Sequence, residues 1–255
     1  MSWSIYEYEN DFVSITKENI DGIPSLKFRP KGYEGALPTV ILYHGWHSSK
    51  DFMRFKALII ASNGYQVIAP DALHHGDRDP INHDDPESEK RYLWKIILQT
   101  IEESKAFIQA VINEHQVDPM RIGITGSSMG TIAAGGVFIA NPNVKCLVGM
   151  NGAFDWQELI KRDGAESEYS MDKELIEYYD PMNNGDKLNK RPILMLHGQE
   201  DTSVPIKCQR SFYSKMMPLY SEDMDKFKLE ESSGIDHSIT AGMLQEAVTW
   251  FKKYL

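Results

Sequence analysis

The chain has 255 residues, of which 42% are hydrophobic and 25% charged, enough for one α/β domain with a full-sized core. Its 27 Lys and Arg against 37 Asp and Glu give a net charge of -10, which disfavours nucleic-acid phosphates and anionic membrane surfaces. No apolar run reaches the length of a membrane span, and Met1–Asn10 lacks a basic segment followed by an apolar stretch, so a cytoplasmic protein is expected.

Strand-like runs open the chain at Phe12–Thr16, Ile23–Arg29 and Thr39–His44, separated by glycine and proline turns. Phe52–Ser62 carries Phe52, Phe55, Leu58 and Ile59 at helical spacing and stops near Asn63-Gly64. Tyr65–Pro70 reads as the next strand. Strands and helices then alternate: helix Glu89–Glu114, strand Ile122–Thr125, helix Met129–Ala140, strand Lys145–Met150. After a mixed stretch come strand Pro192–His197, helix Ile206–Met216, strand Phe227–Glu231 and helix Thr240–Tyr254. Antiparallel strands followed by repeated β-α units predict a mostly parallel eight-stranded sheet with helices on both faces.

The stretch Ala153–Asn189 is long for a connection. It is acidic and carries Trp156, Tyr169, Tyr178 and Tyr179. It reads either as a small cap of one or two helices over the active site or as a surface helix with no lid role. Cys146 and Cys208 lie far apart without metal-ligand spacing; reduced thiols are expected, with Cys146 in the core.

The chemistry centres on Gly126-Ser127-Ser128-Met129-Gly130, between an apolar strand and a helix of small residues. Gly-x-Ser-x-Gly in this setting is a nucleophile elbow. A serine projected from so tight a turn sits in strained backbone, and the flanking glycines leave room for it. A serine hydroxyl needs a base, and the base needs an orienting group. Asp201 follows strand Pro192–His197 by a short turn, and His237 follows strand Phe227–Glu231 in a loop. Both therefore fall at the carboxyl edge of a parallel sheet, in the chain order Ser128, Asp201, His237. Ser128 would attack an acyl carbonyl, His237 relay the proton, and Asp201 hold the imidazole. The amide of Met129, and that of Trp46 with Gly45 second, would form the oxyanion hole. Trp46, Met129, Phe154, Trp156 and Ile239 would wall an apolar pocket, suited to short, uncharged acyl groups.

Other readings compete. Asp201 could be a helix N-cap, with Glu200 or Asp236 the true acid. His237 could be a capping or buried histidine. The glycine run could imitate a phosphate-binding loop, but it lies mid-chain without the Gly-x-Gly-x-x-Gly spacing. His44, His47, His74, His75 and His83 cluster with several aspartates. His44 and His75, each before a glycine at a strand end, read as loop supports, and the run His83-Asp84-Asp85-Pro86 reads as a solvated loop; no metal is assigned, and the triad requires no cofactor. Gly135 and Gly136 cost a helix about 2 kcal/mol relative to alanine, which close packing against the sheet would explain.

The chain resembles the α/β-hydrolase superfamily along essentially its whole length. The resemblance rests on His44-Gly45-Trp46, Gly64-Tyr65 to Pro70-Asp71 with His75-Gly76-Asp77-Arg78, the elbow at Ser128, His197-Gly198 through Asp201 to Val204-Pro205, and His237 before the last helix. It is similar to the small single-domain esterases related to dienelactone hydrolases and prolyl-oligopeptidase catalytic domains. Dienelactone hydrolases carry a cysteine at the elbow, where this chain has Ser128. The peptidases show a second glycine after the elbow, where it has Thr131, and they carry a large extra domain. The resemblance implies an α/β-hydrolase fold and a carboxylesterase acting on a small-molecule ester, with a peptidase or amidase using the same triad as the alternative. A non-enzymatic binding protein of this fold is a third reading, which the intact triad opposes. No nucleic-acid or membrane partner is expected; a homo-oligomer is compatible with the sequence.

Overall fold

The computed structural model describes residues 11–163 and 172–255. Its strands are β1 (Val13–Ile20), β2 (Ile23–Pro30), β3 (Leu37–Tyr43), β4 (Gln66–Pro70), β5 (Val117–Ser127), β6 (Cys146–Met150), β7 (Ile193–Gly198) and β8 (Phe227–Ser232). They form one eight-stranded sheet in the order β1-β2-β4-β3-β5-β6-β7-β8. β1 and β2 form an antiparallel hairpin closed by Asp21-Gly22, both at positive φ, as a two-residue turn matched to strand twist requires. β2 also runs antiparallel to β4, and the remaining neighbours are all parallel. β4, β6 and β7 are buried at every position, as strands covered on both faces must be. This is the α/β-hydrolase fold.

The helices are α1 (Arg54–Ala61), α2 (Pro86–Glu114), α3 (Met129–Ala140), α4 (Trp156–Asp163), α5 (Lys173–Tyr179), α6 (Gly185–Leu188), α7 (Lys207–Met216) and α8 (Ala241–Tyr254). Consecutive strand residues feed opposite faces. Val148 and Leu194 pack with Ala57 of α1 and Phe251 of α8. Leu147 and Ile193 pack with Ile101 of α2, Val137 of α3 and Phe212 of α7. Asp85, in a run that reads as a solvated loop, caps α2 by accepting the Glu87 N–H (3.2 Å), with Pro86 in the first turn. Among the described residues no helix is long and apolar enough to cross a membrane.

Two expectations of packing change. A 3₁₀ turn over Lys50–Met53 precedes α1, so the helical spacing from Phe52 does not continue into one buried face. Phe52 is 64% exposed and Phe55 69%, while Met53, Ala57 and Ile60 face the core. Gly135 and Gly136 do meet close neighbours, but not the sheet. A Cβ on Gly135 would lie 2.8 Å from Phe154 Cδ1, and one on Gly136 2.2 Å from Ile101 Cδ1 of α2. These glycines let α2 and the segment after β6 approach α3.

The described residues of 153–189 pack into that same layer. Ile160, Ile176 and Leu188 are buried in the cluster around α2 and α3. Tyr169 lies outside the described residues. Asp180, at the end of α5, is fully buried; its Oδ1 accepts the Met182 N–H (2.9 Å), and its Oδ2 has no hydrogen-bond partner among the described residues. Burial, with Asp155 adding to it, pushes its pKa up to about 7. The unfolded carboxyl ionises near its ordinary value, so the native state binds the extra proton between the two. Stability from this group therefore falls as pH rises from about 4 to about 7. Asp180→Asn should raise stability at pH 8 by about 1–3 kcal/mol and flatten that slope. Chemical denaturation of both proteins at pH 5 and pH 8 measures it.

Candidate active site

The elbow takes its shape from steric demands. Ser128 has φ 56° and ψ -124°, a strained conformation for a residue with a side chain. A Cβ on Gly126 would stand 2.2 Å from Gly130 O, and one on Gly130 2.4 Å from Tyr43 O. Glycine is required at both places. The Ser128 N–H donates to Met150 O (3.0 Å), and its carbonyl accepts from Thr131 (2.8 Å) and Ile132 (3.2 Å) at the start of α3. Thr131, where the peptidases have glycine, is itself bonded in. Its Oγ1 lies 2.8 Å from Gly126 O and accepts the Met150 N–H (2.9 Å). Room for it comes from Gly149 and Gly152, whose absent Cβ atoms would strike its side chain.

β5, β7 and β8 are parallel members of one sheet, so Ser128, Asp201 and His237 all leave its carboxyl edge. His237 Nδ1 lies 2.7 Å from Asp201 Oδ2. The other oxygen, Oδ1, accepts the N–H groups of Ser203 (3.0 Å) and Val204 (2.8 Å). Asp201 thus caps its own turn and faces the histidine at once. Burial alone would raise its pKa. Contacts to His197, His237 and the Val204 amide outweigh that and hold the carboxyl well below the usual carboxylate range. The rival acids point elsewhere: Asp236 accepts from the Thr202 N–H (2.8 Å), and Glu200 is exposed.

The loops carrying Asp201 and His237 are stitched together by backbone. Gln199 N–H donates to Ser232 O (2.9 Å) and Glu200 N–H to Ile235 O (3.0 Å). A Cβ on Gly198 would lie 2.3 Å from Ile235 O. Asn151, at φ 47° after β6, joins all three strands' ends. Its Nδ2 donates to Ser238 O (2.9 Å), its Oδ1 accepts the Gly198 N–H (3.1 Å), and its neighbour Met150 accepts from Ser128. No reading of the sequence singled out Asn151; the only signal was a polar residue directly after a buried strand. His237 and Ser128 share this scaffold, but no direct hydrogen bond joins their side chains in the structure. Catalytic bonds of this kind are often long without substrate and tighten on binding.

The loop after β3 stands over Ser128. A Cβ on Gly45 would be 3.4 Å from Ser128 Cβ and 4.0 Å from its Oγ. The amides of Trp46 and Met129 have no hydrogen-bond partner among the described residues. His44 Nδ1–H donates to Gly45 O (2.8 Å), while its Nε2 accepts the Ala72 N–H (3.0 Å). Burial, with His75 beside it, pushes its pKa down to about 3, which keeps that neutral tautomer. His75 spans Leu73 O (2.8 Å) and Trp46 O (2.7 Å), tying this loop to the one after β4. Lys50, buried below, meets Asp71 (2.6 Å) and Asp77 (2.7 Å). Nothing in the residue pattern marks this anchoring ion pair, because a lysine in a loop reads as surface.

The pocket assignments need correction. Phe154 and Trp156 are 0% exposed. They pack against Phe212 and Trp94, so they are core side chains and present no surface to a substrate. The Trp46 ring is also buried; its Nε1–H donates to His83 O (2.9 Å) and it packs edge-on to His75. It braces the loop and leaves its backbone at the site. Met129 is buried too, and Ile239 keeps partial exposure. An open cleft of about 450 Å³ lies between the loops after β3 and β4, lined by His47, Ser49, Phe52, Ile81 and His83 among others.

The chain is 29% identical to YitV of Bacillus subtilis (strain 168), over 95% of this chain and 100% of that one. It is 28% identical to esterase YjfP of Escherichia coli (strain K12), with the same coverage of each. The crystal structure of TT1662 from Thermus thermophilus superposes with a TM-score of 0.75 at 18% identity, covering 94% of this chain and 97% of that one. Residues 87–255, which hold the elbow and the loops of Asp201 and His237, match the prolyl oligopeptidase family. The chain therefore belongs to the prolyl oligopeptidase family and is a hydrolase of the α/β-hydrolase fold.

Proposed function

We propose that this hydrolase is a serine carboxylesterase acting on small carboxylic esters, with Ser128 as nucleophile, His237 as base and Asp201 as the orienting acid. The observation that carries the reading is the 2.7 Å contact from His237 Nδ1 to Asp201 Oδ2, on a scaffold bonded to a strained, partly exposed serine. With Nδ1–H donated to the carboxylate, Nε2 is left free to take the Ser128 proton. Ser128 Oγ adds to the ester carbonyl, and the unpartnered amides of Trp46 and Met129 receive the oxyanion. His237 then protonates the leaving alkoxide. Water, deprotonated by the same imidazole, releases the acid from the acyl-enzyme.

The named activity of YjfP and the full coverage of its length favour an esterase over a peptidase with an added domain. The reading takes 1–255 as one domain, with 153–189 inserted between β6 and β7. It places the protein in the cytoplasm, where Cys146 and Cys208, both buried and in no disulfide, stay reduced. Turnover of p-nitrophenyl acetate, butyrate and palmitate, beside a prolyl p-nitroanilide, tests it. The short esters should be cleaved fastest and the anilide not at all; preferential cleavage of the anilide would establish the peptidase instead.

A further inference from the structure

Lys56, the third residue of α1, is a cation next to the elbow that the proton relay does not use. Its Nζ lies 3.4 Å from Ser127 Oγ and 4.0 Å from Met53 Sδ. The side chain is only partly exposed, and burial lowers its pKa. No carboxylate lies within ion-pair distance of it among the described residues. Lys50, six residues earlier, shows how this fold buries a purely structural ammonium: it supplies Asp71 and Asp77. A desolvated ammonium left without a counter-ion is costly, and a chain carrying ten more acidic than basic residues has carboxylates to spare.

The position says what could supply the missing charge. Ser127 immediately precedes Ser128, and adjacent Cα atoms are about 3.8 Å apart. An anion held against Lys56 and Ser127 therefore sits one residue along the chain from the nucleophile. Phe52 and Phe55, exposed on the turn and helix that carry Lys56, offer apolar surface alongside the charge. We propose that Lys56 is a specificity-determining residue that binds a carboxylate on the substrate's acyl portion, making half-esters of short dicarboxylic acids the preferred substrate class. The inference rests on the esterase reading of Ser128 and replaces the expectation of uncharged acyl groups.

Two four-carbon acyl esters separate the outcomes: p-nitrophenyl hemisuccinate, which ends in a carboxylate, and p-nitrophenyl butyrate, which ends in a methyl. The wild type should prefer the hemisuccinate, and the preference should shrink with added salt. Lys56→Met should lower kcat/KM on the hemisuccinate by about 10- to 100-fold, the effect of losing one charge-assisted hydrogen bond, and leave the butyrate nearly unchanged. Lys56→Arg should retain part of the preference. Free succinate should inhibit butyrate hydrolysis by the wild type and lose that effect in Lys56→Met. Equal losses on both esters, read beside an unchanged melting temperature, would overturn the proposal, as would a wild-type preference for butyrate. If the wild type cleaves neither ester, the esterase reading falls and this inference with it; if it cleaves both alike, only the inference falls.

Discussion

Replacing Ser128 with alanine is expected to lower kcat on a short p-nitrophenyl ester by roughly 10⁵–10⁶-fold, about 7–8 kcal/mol of barrier. The residue gives up its nucleophile while the amides of Trp46 and Met129 stay where they are. What survives is the catalysis that a preorganised oxyanion site and substrate binding provide alone. The backbone strain is unchanged, since alanine at φ 56° keeps its Cβ, and the Ser128 hydroxyl has no hydrogen-bond partner among the described residues to lose. The folded state should therefore be no less stable. Steady-state kinetics with a thermal melt on one preparation read both quantities. Loss of activity accompanied by unfolding would contradict the assignment, as would retention of most of the turnover.

The second large effect is expected at Asp201. Asp201→Asn keeps an oxygen for the Ser203 and Val204 amides, so the turn after β7 is preserved. The amide nitrogen then faces His237 Nδ1, where the carboxylate had accepted at 2.7 Å. Two donors cannot share that contact, so the imidazole is driven to carry its proton on Nε2, the nitrogen that must accept from Ser128. A fall in kcat of about 10⁴-fold, or about 5 kcal/mol, follows. Asp236→Asn is the matched control. That carboxylate serves the Thr202 amide and hydroxyl, and its neutralisation should leave kcat within a few-fold of wild type. If the two variants exchanged effects, Asp236 would be the acid. The stabilising contribution of Asp201 has a sign as well. Its folded pKa is depressed, so the stabilisation is complete above the unfolded value and fades as pH falls toward the folded one.

The placement of Ser128, Asp201 and His237 at one edge of the sheet was legible because each follows a strand that the sequence marks by its apolar run: Ile122–Thr125, Pro192–His197 and Phe227–Glu231 each overlap an observed strand. The mostly parallel character of the sheet followed from the same alternation; its strand order, with β4 between β2 and β3, did not. The pocket was not legible. Phe154 and Trp156 looked like walls because they are aromatic and follow β6, yet only the three-dimensional fit of Gly135 and Gly136 against Phe154, Ile101 and Trp156 shows that they fill the helix layer. The helical spacing of Phe52, Phe55, Leu58 and Ile59 does not mark one buried face, because a 3₁₀ turn over Lys50–Met53, with three residues per turn, rotates the following face. Lys50, Lys56 and Asn151 were passed over for a common reason. A polar residue in a loop or on a helix reads as solvated, and only its partners in space, or the lack of them, show otherwise.

The proton relay itself is tested most directly by a fluorophosphonate probe followed by peptide mass mapping. A single adduct on the peptide containing Ser128, absent from Ser128→Ala and formed far more slowly in His237→Ala, is the expected result. An adduct on another serine, or labelling of Ser128 at an unchanged rate without His237, would contradict the account.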